Sequence, residues 1–261
     1  MNRKKIVFLL VLALSVIGLF LYRNMTATDA NKRLSQEITE KIEKEEKENP
    51  KKSSGNGEEK EKEKENKEEA DFYKKKLSEA QKINEEAVAW LTLPGTFIDY
   101  PVTQAENNDY YLDHNIYKKK DPVGSIYLDY ENDLKKDNSN LILYGHSLAT
   151  DNMFSDLLKY KDQKFFDDHS KIYLYGNGTL EEYTAVAGFV MDMAKKDQIF
   201  HFNEFIDGDD QMNSKDYVEE AKNRSLVRKD IDVGEKDKLI TLSTCSYEYN
   251  DARFVLVGVK K

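Results

Sequence analysis

Cys245 is the only cysteine among 261 residues, and it closes the apolar run Leu239-Ile240-Thr241-Leu242-Ser243-Thr244. Eight residues on, Arg253 opens a second run, Phe254-Val255-Leu256-Val257-Gly258-Val259. If the two runs pair as an antiparallel hairpin with Ser246 to Ala252 as its loop, thiol and guanidinium face each other across its mouth. That pairing suits acyl transfer. A thiol with an ordinary pKa is only about 3% thiolate at pH 7, so attack on a carbonyl requires a neighbouring imidazole or cation. A guanidinium stays charged, carries five donors, and can hold a carbonyl or a developing oxyanion. It can equally form a rim salt bridge with Glu248 or Asp251. Strand alternation puts Ser243 on the face of Cys245, where it either contacts substrate or satisfies a local hydrogen bond. The competing reading of Cys245 is a buried structural thiol, because free cysteine is among the most buried residue types.

Four histidines are candidates for the base. His146 follows Leu141-Ile142-Leu143-Tyr144 and a flexible Gly145, which places it just past a strand end. His114 lies in a Tyr- and Asp-rich loop, His169 among Asp167, Asp168 and Ser170, and His201 between Phe200 and Phe202. Position favours His146 and leaves the other three open.

The elements that must hold these residues are mostly short strands. Tyr73, Leu77, Ala80, Ile83, Ala87 and Trp90 recur at three- and four-residue spacing, which predicts a helix ended by Pro94-Gly95. Apolar runs then follow at Phe97 to Val102, Ser125 to Leu128, Leu141 to Tyr144, Ile172 to Tyr175, Tyr183 to Met191, Leu239 to Cys245 and Phe254 to Val259. Short strands punctuated by Gly, Asn and Asp predict a barrel or sandwich. Two helical interludes are expected. One is capped by Asp151 and carries Met153, Phe154, Leu157 and Leu158; the other is capped by Ser214 and carries Tyr217, Val218 and Ala221. Phe202 to Asp230 reads as a long insertion, the kind of segment that often forms a binding wall or lid.

The N-terminus addresses location. Arg3, Lys4 and Lys5 precede the apolar run Ile6 to Tyr22, about the minimum length for a membrane span. A cleaved signal peptide is the alternative, but Thr26-Ala27-Thr28-Asp29-Ala30 offers a poor cleavage site. The expectation is a basic cytoplasmic end at 1–5, a transmembrane anchor at 6–22, a charged flexible stalk at 23–69 and an extracytoplasmic domain at 70–261. A formal net charge of -9 argues against nucleic acid as a partner, and one cysteine excludes an internal disulfide.

Thr241-Leu242-Ser243-Thr244-Cys245 resembles the T-L-x-T-C signature of the sortases, with Arg253 downstream and Tyr144-Gly145-His146 upstream completing the triad. Residues 71 to 261 are most similar to class B. The resemblance is carried by Trp90-Leu91, Ile98-Asp99-Tyr100-Pro101-Val102, Asn107-Asn108-Asp109-Tyr110-Tyr111-Leu112, Gly124-Ser125-Ile126-Tyr127-Leu128-Asp129, Met153-Phe154, and the helix-bearing insertion. It implies a mainly β (α+β) fold: a closed eight-stranded β-barrel with an N-terminal helix and a helix in the long loop before the cysteine strand. It also implies a cysteine transpeptidase without cofactor or metal. Cys245 attacks a Thr carbonyl in a C-terminal sorting signal of a secreted protein and forms a thioacyl-enzyme. His146 protonates the leaving amine and activates the incoming one, which belongs to a peptidoglycan precursor or cross-bridge. Arg253 orients the signal and supports the oxyanion. Some class B members carry an acidic residue directly after the cysteine; here Ser246 and Tyr247 follow, and Glu248 is the nearest carboxylate. Alternatives are a Cys-His hydrolase, a pilin-polymerising sortase (lacking here a segment that resembles its lid) and a non-enzymatic membrane-tethered binding domain.

Overall fold

The structure is a computed structural model that describes residues 30–48, 58–148, 152–194, 200–207, 212–246, 248 and 251–261, with side chains from residue 66 onward in the second helix. Two helices, α1 (Ala30–Glu48) and α2 (Glu58–Gln81), precede β1 (Ala87–Thr92), β2 (Asp99–Thr103), β3 (Ile126–Leu128) and β4 (Asn140–Tyr144). A 3-10 helix (Ser155–Lys161) and the short α3 (Gln163–Asp168) lead to β5 (Lys171–Gly176) and the long β6 (Thr179–Asp192). Helix α4 (Ser214–Arg224), the two-residue β7 (Val227–Arg228), β8 (Leu239–Ser246) and β9 (Ala252–Lys260) complete the chain.

Eight strands close into a barrel in the order β5-β1-β2-β3-β4-β8-β9-β6, and the β5–β6 pairing joins the ends; β7 adds to β6 outside the ring. Closure removes the exposed sheet edges. Apolar runs without clean alternation, such as Phe254 to Val257, arise because both faces of a strand are covered. Phe254 and Leu256 point into the barrel with Ile240, Leu242, Leu143 and Tyr100. Val255, Val257 and Val259 point outward, under Tyr217, Val218 and Ala221 of α4. The barrel and both expected helices of the family resemblance are therefore present.

Four local expectations change. The helix ends at Gln81, not Trp90. Asn84 breaks it, its side chain accepting from the Glu86 amide at 3.0 Å, an Asx turn that competes with helix. Ala87 and Trp90 then belong to β1, whose opposite face sends Ala89 and Leu91 into the barrel. The second change concerns the stalk. Residues 30–48 are a helix docked on the barrel, with Leu34, Ile38 and Ile42 buried against Tyr73, Leu77 and Trp90. Four-residue spacing makes one apolar stripe, and burying each such side chain is worth up to about 1.5–3 kcal/mol. The folded unit therefore begins well before residue 70. Third, Asn213 rather than Ser214 caps α4, in a reciprocal capping box with Asp216. Fourth, the 3-10 helix at Ser155 starts without a side-chain cap; Asp151 lies outside the described residues, as does the expected anchor at 6–22. Among the described residues no helix is long and apolar enough to cross a membrane.

Candidate active site

The hairpin of β8 and β9 pairs Cys245 directly with Arg253. Arg253 donates from Nη1 to Cys245 Sγ at 3.2 Å. Its Nη2 lies 3.4 Å from Asp251 Oδ1, so the rim salt bridge and the thiol contact coexist on one guanidinium. Glu248 is not part of this group. It joins Lys161 and Ser246 in a hydrogen-bonded cluster. Ser246 sits on the strand face opposite Cys245, so this carboxylate does not take the place of the acidic neighbour seen in some class B members.

His146 arrives from the parallel neighbour, β4, which pairs with β8 through Tyr144 and Ser243. The ladder continues one step beyond the strand, with the Gly145 amide donating to the Ser243 carbonyl at 3.2 Å. Thr244 then donates its hydroxyl to the Gly145 carbonyl at 2.8 Å. Gly145 is needed for space, since a Cβ there would stand 2.8 Å from the Phe154 ring. These contacts turn the chain so that His146 stands beside the strand end that carries Cys245, where imidazole and thiol influence each other's charge. His146 Nε2 is 2.8 Å from the Leu112 carbonyl oxygen. A carbonyl only accepts, so Nε2 carries a proton and Nδ1 is the nitrogen left to take one from the thiol.

The electrostatics favour charge separation. The hydrogen bond with His146 lowers the pKa of the Cys245 thiol; burial opposes this, and the Arg253 charge lowers it further. The same hydrogen bond raises the His146 pKa against burial, and the Leu112 carbonyl adds to the rise. Both directions populate thiolate and imidazolium. A half-buried thiolate beside a proton donor and a fixed guanidinium can attack a carbonyl, stabilise the resulting oxyanion and protonate a leaving amine.

The other histidines are accounted for elsewhere. His114 stacks on Tyr110 and contacts its carbonyl; His169 does the same with Phe165; His201 pairs with Glu204. Ser243 shares the face of Cys245 but is only 3% exposed, lying beneath the rim rather than on it. Two participants were missed in the sequence. Thr244 was visible inside the Ser-Thr-Cys run, whereas the Leu112 carbonyl is a backbone group that leaves no side-chain signal. Among the described residues, no three His, Cys, Asp or Glu side chains converge to hold a metal ion.

The sortase-domain family profile matches residues 91–261. Sortase B of Listeria monocytogenes is 38% identical over 185 residues, covering 70% of this chain and 73% of that protein. Sortase B of Staphylococcus aureus is 33% identical over 184 residues, covering 69% and 72%. A crystal structure of Staphylococcus aureus sortase B superposes with a TM-score of 0.68 at 25% identity, covering 88% of this chain and 98% of that one. A closed barrel, a thiol, an imidazole and a guanidinium at one rim, and these likenesses lead to one assignment: the chain belongs to the sortase family and is a cysteine transpeptidase of the class B type.

Proposed function

We propose that Cys245 is the nucleophile that cleaves a C-terminal sorting signal of a secreted protein and passes its acyl group to a peptidoglycan amine. The observation that carries this reading is at the barrel rim, where the Arg253 guanidinium donates to the Cys245 sulfur and His146 lowers the pKa of the same thiol. The Cys245 thiolate attacks the scissile carbonyl; Arg253, already 3.2 Å from the sulfur, lies where the oxyanion forms. Protonated His146 gives its proton to the departing amine, which leaves with the C-terminal remainder. Neutral His146 then takes a proton from the incoming amine as it attacks the thioester, and the thiolate is regenerated. Ser243, 3% exposed, lies beneath this rim. The apolar run at 6–22 serves as a membrane anchor that places the catalytic domain on the outer face of the cell.

The test is product analysis on a panel of sorting-signal peptides, with and without an added amine. Amine-dependent ligation product, lost completely in Cys245→Ala, is expected. Hydrolysis product alone, with amine in excess, would favour a Cys-His hydrolase; normal turnover by Cys245→Ala would end the reading.

A further inference from the structure

His146 is held by a backbone carbonyl, and that carbonyl is itself held from behind. Gly124 has φ +62, and a Cβ built on it would lie 2.5 Å from the Leu112 carbonyl oxygen and 2.7 Å from that of Tyr111. Only glycine both adopts this conformation readily and leaves that space. The stretch around Gly124 is zipped to the stretch around Leu112: the Ser125 amide donates to the Tyr111 carbonyl, and the Ser125 hydroxyl to the His114 carbonyl, both at 2.9 Å.

Helix α1 closes this arrangement. Asn31, 3% exposed, donates from Nδ2 to the Gly124 carbonyl at 2.7 Å. Its Oδ1 accepts from the Ile116 amide at 2.8 Å. One side chain thus spans both sides of the loop whose Leu112 carbonyl accepts the hydrogen bond from His146 Nε2. The helix carrying Asn31 is fixed independently by Leu34, Ile38 and Ile42.

We propose that Asn31 and Gly124 act as positioning residues for His146, which makes α1 part of the active-site support. The inference rests on the catalytic role given to His146 above. Removing the Asn31 amide strands a buried carbonyl and a buried N–H. The loop relaxes toward other partners, the Leu112 carbonyl shifts, and His146 loses the contact that fixes its tautomer. The titratable and charged groups facing His146 are Cys245 and Arg253, and neither is altered by changes at Asn31 or Gly124.

The experiment compares the full chain with Asn31→Ala, Asn31→Asp, Gly124→Ala and Ile38→Ala. It measures kcat and KM on a sorting-signal peptide, the pH profile of iodoacetamide alkylation at the lone cysteine, and thermal unfolding. Asn31→Ala and Gly124→Ala are expected to lower kcat about ten- to a hundredfold, with KM little changed. The alkylation midpoint should rise toward that of His146→Ala. Asn31→Asp keeps an acceptor for Ile116 but loses the donor to Gly124, so it should show the same losses; it stands in if the alanine variant does not fold. Ile38→Ala loosens the same helix without touching the clasp, and should lower the unfolding temperature while leaving the alkylation midpoint in place. Folded Asn31 variants with unchanged kcat and midpoint would overturn the proposal. So would an equal shift in Ile38→Ala, which would reduce the clasp to general stability. Alkylation needs no substrate. If wild-type alkylation is insensitive to His146→Ala, the catalytic reading itself fails; if it is sensitive but Asn31 is silent, only the clasp fails.

Discussion

Among the described residues, two of the clusters of ionisable side chains that lie partly out of water are built in opposite ways. Under the helical layer, Lys76 is 2% exposed and donates to both oxygens of Asp99, at 2.7 and 2.6 Å. The same carboxylate accepts from Trp90 Nε1 and Thr92 Oγ1, each at 2.7 Å. Burial pulls the Lys76 pKa down and Asp99 works against it, but the ammonium and carboxylate have no vacant role. At the barrel rim, Cys245, His146 and Arg253 are half-buried. His146 and Arg253 both push Cys245 toward thiolate, and Cys245 pushes His146 toward imidazolium while Arg253 opposes that charge. A fully hydrogen-bonded cluster gives a fixed structure. A cluster in which the thiol pKa is lowered and its imidazole neighbour's raised, and solvent has access, gives chemistry.

The strongest way to break this contrast is to remove the imidazole. His146→Ala should reduce peptide turnover by about 10²–10⁴-fold. The sign of its pH effect follows from the directions of the shifts. Alkylation of Cys245 rises as pH passes upward through its lowered pKa, and the midpoint in His146→Ala should move up toward the ordinary thiol value near 8.5. In the wild type, turnover should fall at low pH as the thiol is protonated, and at high pH as His146, with its raised pKa, loses its proton. A midpoint that stays in place would show that the rim is as inert as the Lys76 cluster.

Arg253→Lys sharpens the comparison. It keeps a cation but loses the fork that serves the sulfur and Asp251 together, so a loss of about 10²-fold in kcat is expected from steady-state kinetics. Asp99→Ala probes the other cluster. It strands the Lys76 charge and should cost about 3 kcal/mol in denaturant unfolding while leaving the alkylation profile unmoved. Ser243→Ala should have the smallest effect, less than about threefold in kcat/KM, because its hydroxyl lies below the rim; a larger loss would place it in the substrate groove.

The rim was legible because its chemistry is concentrated in short runs. Thr241 to Cys245, Tyr144 to His146 and Arg253 each sit at the end of a strand visible as an apolar run, and the pairing of Cys245 with Arg253 followed from where the two runs end and begin, although Ser246 and Ala252 also pair and so belong to the strands rather than the expected loop. The helical layer was obscured. Leu34, Ile38 and Ile42 are a sparse stripe among lysines and glutamates, and average composition there resembles a solvated tether. Ala87 and Trp90 continue the helical spacing of α2 by coincidence, so periodicity extended a helix across the Asn84 turn into β1.

Residue types and spacing by themselves determined a strand-rich barrel or sandwich and the facing thiol and guanidinium, and the family resemblance of the short motifs chose the closed barrel and His146, because strand-end chemistry is local and side-chain identity is its signal. Tertiary structure decided which carbonyl orients His146, that Glu248 turns away to Lys161, and that the segment at 30–48 is a docked helix reaching the loop behind the catalytic rim. Backbone carbonyls look alike in every residue, and a sparse apolar stripe has meaning only when a complementary surface exists to bury it. Those outcomes depend on where distant segments meet, which no local pattern encodes.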